Sequence, residues 1–145
     1  ATMDSIFTPT QLDGARKSSV TEFRSGWFEN HGKGKFKFHP LMDEVQEAPV
    51  NAIITTDING DKHQDIIMAG NNHGLRAEMG RADATFGHVL LGDGSGNFTY
   101  LPPRSSGLLL RGDCRDLQLL DWTKGRKLLV AAMNNGPVVT YLITP

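Results

Sequence analysis

The sequence predicts an all-β fold on two observations. Apolar residues fall in short runs rich in β-branched and aromatic side chains, and Gly, Asn, Asp and Pro clusters separate those runs. Helical periodicity is hard to find. In chain order the candidate strands are residues 22–29, 35–39, 51–56, 65–69, 88–91, 97–101, 116–120, 127–132 and 138–143. Residues 1–21 precede them and are polar and unpatterned, with Asp13-Gly14 and Lys17-Ser18-Ser19, which reads as a linker or poorly ordered segment.

Composition narrows the function classes. With 39% hydrophobic and 21% charged residues, the chain lies in the range of ordinary globular domains. A formal net charge of -1 gives no electrostatic argument for nucleic acid or an anionic membrane surface. The longest apolar runs are far short of the ~20 residues of a membrane-spanning helix. Cys114 stands alone, so no internal disulfide is possible, and it reads as a small buried hydrophobe.

The chain repeats itself. Trp27-Phe28-Glu29-Asn30-His31-Gly32-Lys33-Gly34-Lys35-Phe36 superimposes on Val89-Leu90-Leu91-Gly92-Asp93-Gly94-Ser95-Gly96-Asn97-Phe98 at an offset of 62. Residues 57–72 parallel 121–135 at an offset of 63 to 64. A four-stranded antiparallel unit of about sixty residues suits a β-propeller, whose blades bury their faces only against neighbouring blades. The strands divide into a partial blade (22–39), a full blade (51–101) and a partial blade (116–143), a propeller segment over 22–145. Two to three blades do not close a ring. The remaining faces are therefore expected to meet the remainder of a longer chain or other copies.

Asp57-Ile58-Asn59-Gly60-Asp61-Lys62-His63-Gln64-Asp65 places oxygen-bearing side chains at positions one, three, five and nine between two apolar strands. Calcium takes about six to eight oxygen ligands, which alternating Asp and Asn in a tight loop can supply with a backbone carbonyl from position seven. The expected ligands are Asp57, Asn59, Asp61, the His63 carbonyl and Asp65. Three crowded carboxylates repel one another without a cation, so the ion is expected to stabilise the hairpin. An EF-hand is excluded by Lys62 at position six, Met68 at position twelve and β-type flanks. The parallel loop at 121–127 lacks the other carboxylates and carries Lys124, Arg126 and Lys127, so no calcium is expected there.

With Asp-x-Asn-Gly-Asp-x-x-x-Asp before an apolar strand, Leu91-Gly92-Asp93-Gly94-Ser95-Gly96-Asn97-Phe98 and its echo at 30–36, residues 22–143 resemble the FG-GAP or VCBS repeat. Gly80-Arg81-Ala82-Asp83-Ala84 extends the likeness to bacterial exported proteins that pair such repeats with an ASPIC/UnbV-type domain. The resemblance implies a seven-bladed propeller in an extracellular, periplasmic or cell-surface protein, with calcium in blade loops. It implies no catalytic set.

The segment 71–87 is too long for a minimal hairpin, and long ordered loops on a rigid scaffold often carry binding. Its Arg76, Glu78, Arg81 and Asp83 either contact a protein or glycan ligand or form a solvated ion-pair cluster. His73 and His88 lack zinc-like spacing. Asp93, Ser95 and Asn97 read as a hairpin turn with positive dihedrals rather than a second oxygen loop. Arg111-Gly112-Asp113 spells an adhesion tripeptide but abuts a strand and reads as coincidence. Trp27, Phe36, Phe98 and Trp122 are expected in blade cores. The expected function is a calcium-stabilised binding or scaffold module and not an enzyme. The alternatives are part of a calcium-dependent polysaccharide lyase or hydrolase, or a purely structural wall of a larger assembly.

Overall fold

The computed structural model describes residues 2–144 except Lys17, Ala77 and Met79. Among the described residues nine strands form: β1 (Gly26–Asn30), β2 (Phe36–Pro40), β3 (Val50–Thr56), β4 (Asp65–Gly70), β5 (His88–Gly92), β6 (Phe98–Leu101), β7 (Cys114–Asp121), β8 (Lys127–Met133) and β9 (Val139–Ile143). They make three antiparallel meanders, β1-β2, β3-β4-β5-β6 and β7-β8-β9. Among the described residues helix is confined to single turns, α1 (Pro9–Leu12), α2 (Pro103–Ser106) and short 3-10 segments. Among the described residues no helix is long and apolar enough to cross a membrane.

The middle sheet is covered on both faces. Every residue of β4 is buried, which a strand achieves only when both of its alternating faces are occupied. One face carries Ala52, Ile67, Ala69 and Val89 and packs on Leu117, Leu129 and Ala131 of the third sheet, with Leu108, Leu110 and Cys114 closing the cluster. The other carries Ile66, Met68 and Leu90 and packs on Trp27 of the first sheet and on Leu41 and Val45 from the 41–46 segment. Val45 is fully buried inside the 3-10 turn Asp43–Gln46. Burial of Cys114 pushes its thiol pKa up, so it stays protonated and packs as a hydrophobe.

Two geometric correspondences run along the chain. In β1-β2, Trp27 pairs with His39, Phe28 with Phe38 and Asn30 with Phe36. In β5-β6, Val89 pairs with Leu101, Leu90 with Tyr100 and Gly92 with Phe98, the same register 62 residues later. The tips match as well: His31 donates its N–H to the Lys35 carbonyl at 2.9 Å, and Asp93 donates to the Asn97 carbonyl at 3.1 Å. A register shift falls between Val50 and Ala52 where β3 meets β4, and between Cys114 and Asp116 where β7 meets β8, 64 residues on.

Two aromatic expectations need correction. Trp27 and Phe98 are partly buried against the core, with ring centroids 6.5 Å apart, but Phe36 is 61% exposed and Trp122 is 50% exposed. Phe36 lies on the face of β2 opposite His39, where none of the described sheets covers it, and Trp122 lies in the β7-β8 turn.

Candidate functional site

The loop at residues 57–65 joins β3 to β4, so both flanks are strands. Its carboxylates are all engaged. Asp57 accepts the Gly60 N–H at 2.7 Å through Oδ1 and the Lys62 N–H at 2.9 Å through Oδ2. Asp61 Oδ1 accepts the His63 N–H at 2.8 Å, and Asp61 Oδ2 accepts Asn59 Nδ2 at 2.9 Å. The same Asn59 accepts the Asp61 N–H at 3.1 Å. These side-chain-to-backbone bonds are Asx-type turns, which let Asp and Asn fold a loop locally. Gly60 and Lys62 take left-handed dihedrals, φ 84° and 72°. The His63 N–H, followed by the Asn59 amide, holds the Asp61 carboxyl below the usual range.

Asp65 differs from the other two. It is fully buried, its Oδ2 accepts the Ile58 N–H at 2.8 Å, and its Oδ1 accepts the Gly92 N–H at 2.9 Å from the end of β5. One side chain thus closes its own loop and ties it to the next hairpin. Gly92 is required there, because a Cβ would collide with the Gln64 carbonyl. Further along that hairpin, Gly94 lies against the His63 ring and a Cβ at Gly96 would lie 2.8 Å from the Trp27 ring. The tip of the β5-β6 hairpin is thereby wedged between the oxygen-rich loop and the first sheet.

The donor chemistry suits a hard cation: three carboxylates, one side-chain amide and adjacent backbone carbonyls. Each carboxylate oxygen has a single N–H partner and keeps lone-pair capacity. The side chains are not drawn to one point. Among the described residues no three His, Cys, Asp or Glu side chains form a metal-holding group, and the close side-chain pair within the loop is Asn59 with Asp61.

At the other end of the sheets, the segment 71–87 is closed by a β-bridge between Asn72 and Ala82, with N–H to carbonyl distances of 2.8 and 3.0 Å. Arg76, Glu78 and Arg81 are exposed. Asp83 contacts His73 Nε2 at 3.1 Å and accepts Asn71 Nδ2 at 3.2 Å. Among the described residues, no ion pair links Asp83, Glu78, Arg76 and Arg81 to one another.

Sequence reasoning missed the polar centre beneath this segment. Asp113 is 2% exposed, and its Oδ2 accepts the His73 N–H at 3.2 Å, Asn134 Nδ2 at 3.2 Å and Arg115 Nη2 at 2.7 Å. Burial raises the Asp113 pKa, but the three donors outweigh it and the net shift is downward. Asn71, also buried, donates to the Thr85 and Gly112 carbonyls at 2.7 and 3.0 Å. The partners lie up to 41 positions apart, so no local spacing announces them. The burial of Asp113 removes the Arg111-Gly112-Asp113 tripeptide from any exposed presentation. His88 is bonded through Nε2 to Thr85 Oγ1 at 2.9 Å, away from the His73–Asp83 contact.

No protein family, curated protein or solved structure matches this chain.

Proposed function

We propose that this chain is a segment of a calcium-stabilised, propeller-type scaffold that works outside the cytoplasm as a protein- or glycan-binding module. One observation carries the reading: β4 is buried along its whole length between two neighbouring sheets, as a radial stack of blades requires. The shared register of β1-β2 and β5-β6, and the matching register shifts in β3-β4 and β7-β8, support a repeating unit of about sixty residues. The likeness to FG-GAP and VCBS repeats supports an extracytoplasmic setting.

Calcium rests on the donor set of the 57–65 loop. Asp57, Asn59, Asp61, Asp65 and the His63 carbonyl would hold it, and the ion would neutralise charge that backbone amides now balance. The role is structural, since the loop carboxylates accept bonds from the fold itself and are not paired as acid and base.

Scanning calorimetry with excess calcium and with chelator tests this. At a free calcium concentration about 100-fold above Kd, binding adds about 2.7 kcal/mol. For a chain of this size that is a rise in Tm of about 5 to 10 °C. Asp61→Ala is expected to lose most of that rise. An unchanged parent Tm, or an Asp61→Ala response equal to the parent's, overturns the calcium assignment.

A further inference from the structure

The chain contains two Asn-Gly pairs, Asn59-Gly60 and Asn135-Gly136, and both are exposed. In such a pair the asparagine carboxamide is open to attack by the following backbone nitrogen, because glycine has no Cβ to obstruct the approach. The reaction needs two freedoms. The glycine N–H must be free to give up its proton, and the carboxamide must be free to turn its Cγ toward that nitrogen.

The 57–65 loop withholds both. The Gly60 N–H is bonded to Asp57 Oδ1 at 2.7 Å. Asn59 Oδ1 accepts the Asp61 N–H at 3.1 Å, and Asn59 Nδ2 donates to Asp61 Oδ2 at 2.9 Å. All three bonds have to break before Asn59 can react. The β8-β9 turn imposes no such restraint. Among the described residues neither the Asn135 carboxamide nor the Gly136 N–H has a hydrogen-bond partner. Residues 134–138 are exposed throughout, and Asn135 takes a left-handed φ of 53°. The anchoring falls on its neighbour: Asn134 donates its N–H to the Asp113 carbonyl at 2.8 Å and its Nδ2 to Asp113 Oδ2 at 3.2 Å.

We infer that Asn135 is a site of spontaneous deamidation, and that the bonds of the 57–65 loop protect Asn59 from the same reaction. The Gly136 nitrogen gives its proton to solvent and bonds to Asn135 Cγ. The Cγ–Nδ2 bond breaks, and Nδ2 takes a proton from solvent and leaves as ammonia. Water then adds to the cyclic imide and breaks one of the two C–N bonds at its ring nitrogen. One opening gives aspartate at position 135, and the other gives isoaspartate, whose main chain runs through the side-chain carbon. The net change is amide plus water to carboxylic acid plus ammonia. Either product places a new negative charge in the turn, and isoaspartate also lengthens the main chain beside Asn134. The modification therefore reaches the buried Asp113 centre, through the two bonds that Asn134 makes to it. The inference is independent of calcium and of the stacked-sheet reading.

Peptide mapping by mass spectrometry tests it, on the folded 145-residue chain aged in warm, mildly alkaline buffer with chelator present. Asn135 is expected to convert about tenfold or more faster than Asn59, since three hydrogen bonds oppose reaction at Asn59. In concentrated urea those bonds are gone, and the two rates are expected to converge. Asp57→Ala releases the Gly60 N–H and is expected to raise the Asn59 rate several-fold while leaving Asn135 unchanged. The urea comparison uses the parent chain, so the test stands even where that variant folds poorly. No conversion at Asn135, equal rates in the folded chain, or a difference that persists in urea overturns the inference. Hydrogen exchange at the Asn134 amide is expected to quicken as isoaspartate accumulates. Unchanged exchange there would sever the proposed link to Asp113.

Discussion

Between β3 and β4 the chain spends eight residues, 57–64, on its reversal, and between β7 and β8 it spends five, 122–126. The shorter turn closes on itself. Trp122 donates its N–H to the Arg126 carbonyl at 2.8 Å, and the Arg126 guanidinium returns to the Thr123 carbonyl and hydroxyl, both at 3.2 Å. The longer loop has more backbone to order and holds it with carboxylates, one of which reaches outside the loop to Gly92. Position in the sheet therefore does not dictate the chemistry of a turn. Length does, because added residues need anchors, and a buried anchor can serve two elements at once.

The largest expected effect is at Asp65. Asp65→Ala leaves the Ile58 and Gly92 N–H groups without acceptors and is expected to cost about 3 kcal/mol in urea denaturation. At the base of the shorter turn Lys127 donates to Thr56 Oγ1 at 2.6 Å, and Lys127→Ala is expected to cost about 1 kcal/mol. Equal losses would mean that the two turns are anchored alike. An effect smaller than that of Asp65 is also expected at Asp57, whose amide partners are exposed. Asp57→Ala is expected to cost about 1 kcal/mol and to speed exchange at Gly60 and Lys62 while leaving Trp122 unchanged. A global increase in exchange would argue against a local role.

The smallest effect is acid dependence. The Asp61 carboxyl is depressed in the folded chain, so its contribution is complete above the unfolded carboxyl pKa of about 4. It is lost as pH falls through the folded value. Protection of the His63 amide, corrected for intrinsic exchange, is expected to decline below about pH 4, while that of Trp122, bonded to a carbonyl, holds until global unfolding. Parallel decline of the two would remove the distinction between the turns.

The strands were legible because alternation and β-branching are local signals. Their ends moved where side chains took up other bonds. The first strand, expected from residue 22, starts at Gly26, since Glu22 pairs with Arg24 and Ser25 bonds to Gln46. The buried Val45 was not legible, because one apolar residue among Asp43, Glu44 and Gln46 looks like surface. Leu108 and Leu110 enter the core from outside any strand. The oxygen-rich loop was visible in its spacing, but the division of labour within it was not. Nothing local distinguishes Asp65, which is buried, from Asp61, which is exposed, until Gly92 arrives from 27 positions away. The Asp113 centre is a stronger case of the same dependence on distant partners.

The meander order of all three sheets bears on how the chain is made. Every strand pairing joins neighbours in sequence, and every hairpin except β4-β5, whose strands are joined by residues 71–87, closes over a short loop that favours fast formation. As the polypeptide leaves the ribosome, β1-β2 is complete before β3 exists, and the four-stranded sheet is complete before β7. Stacking of finished sheets, rather than assembly of the sheets themselves, becomes the step that needs distant parts of the chain.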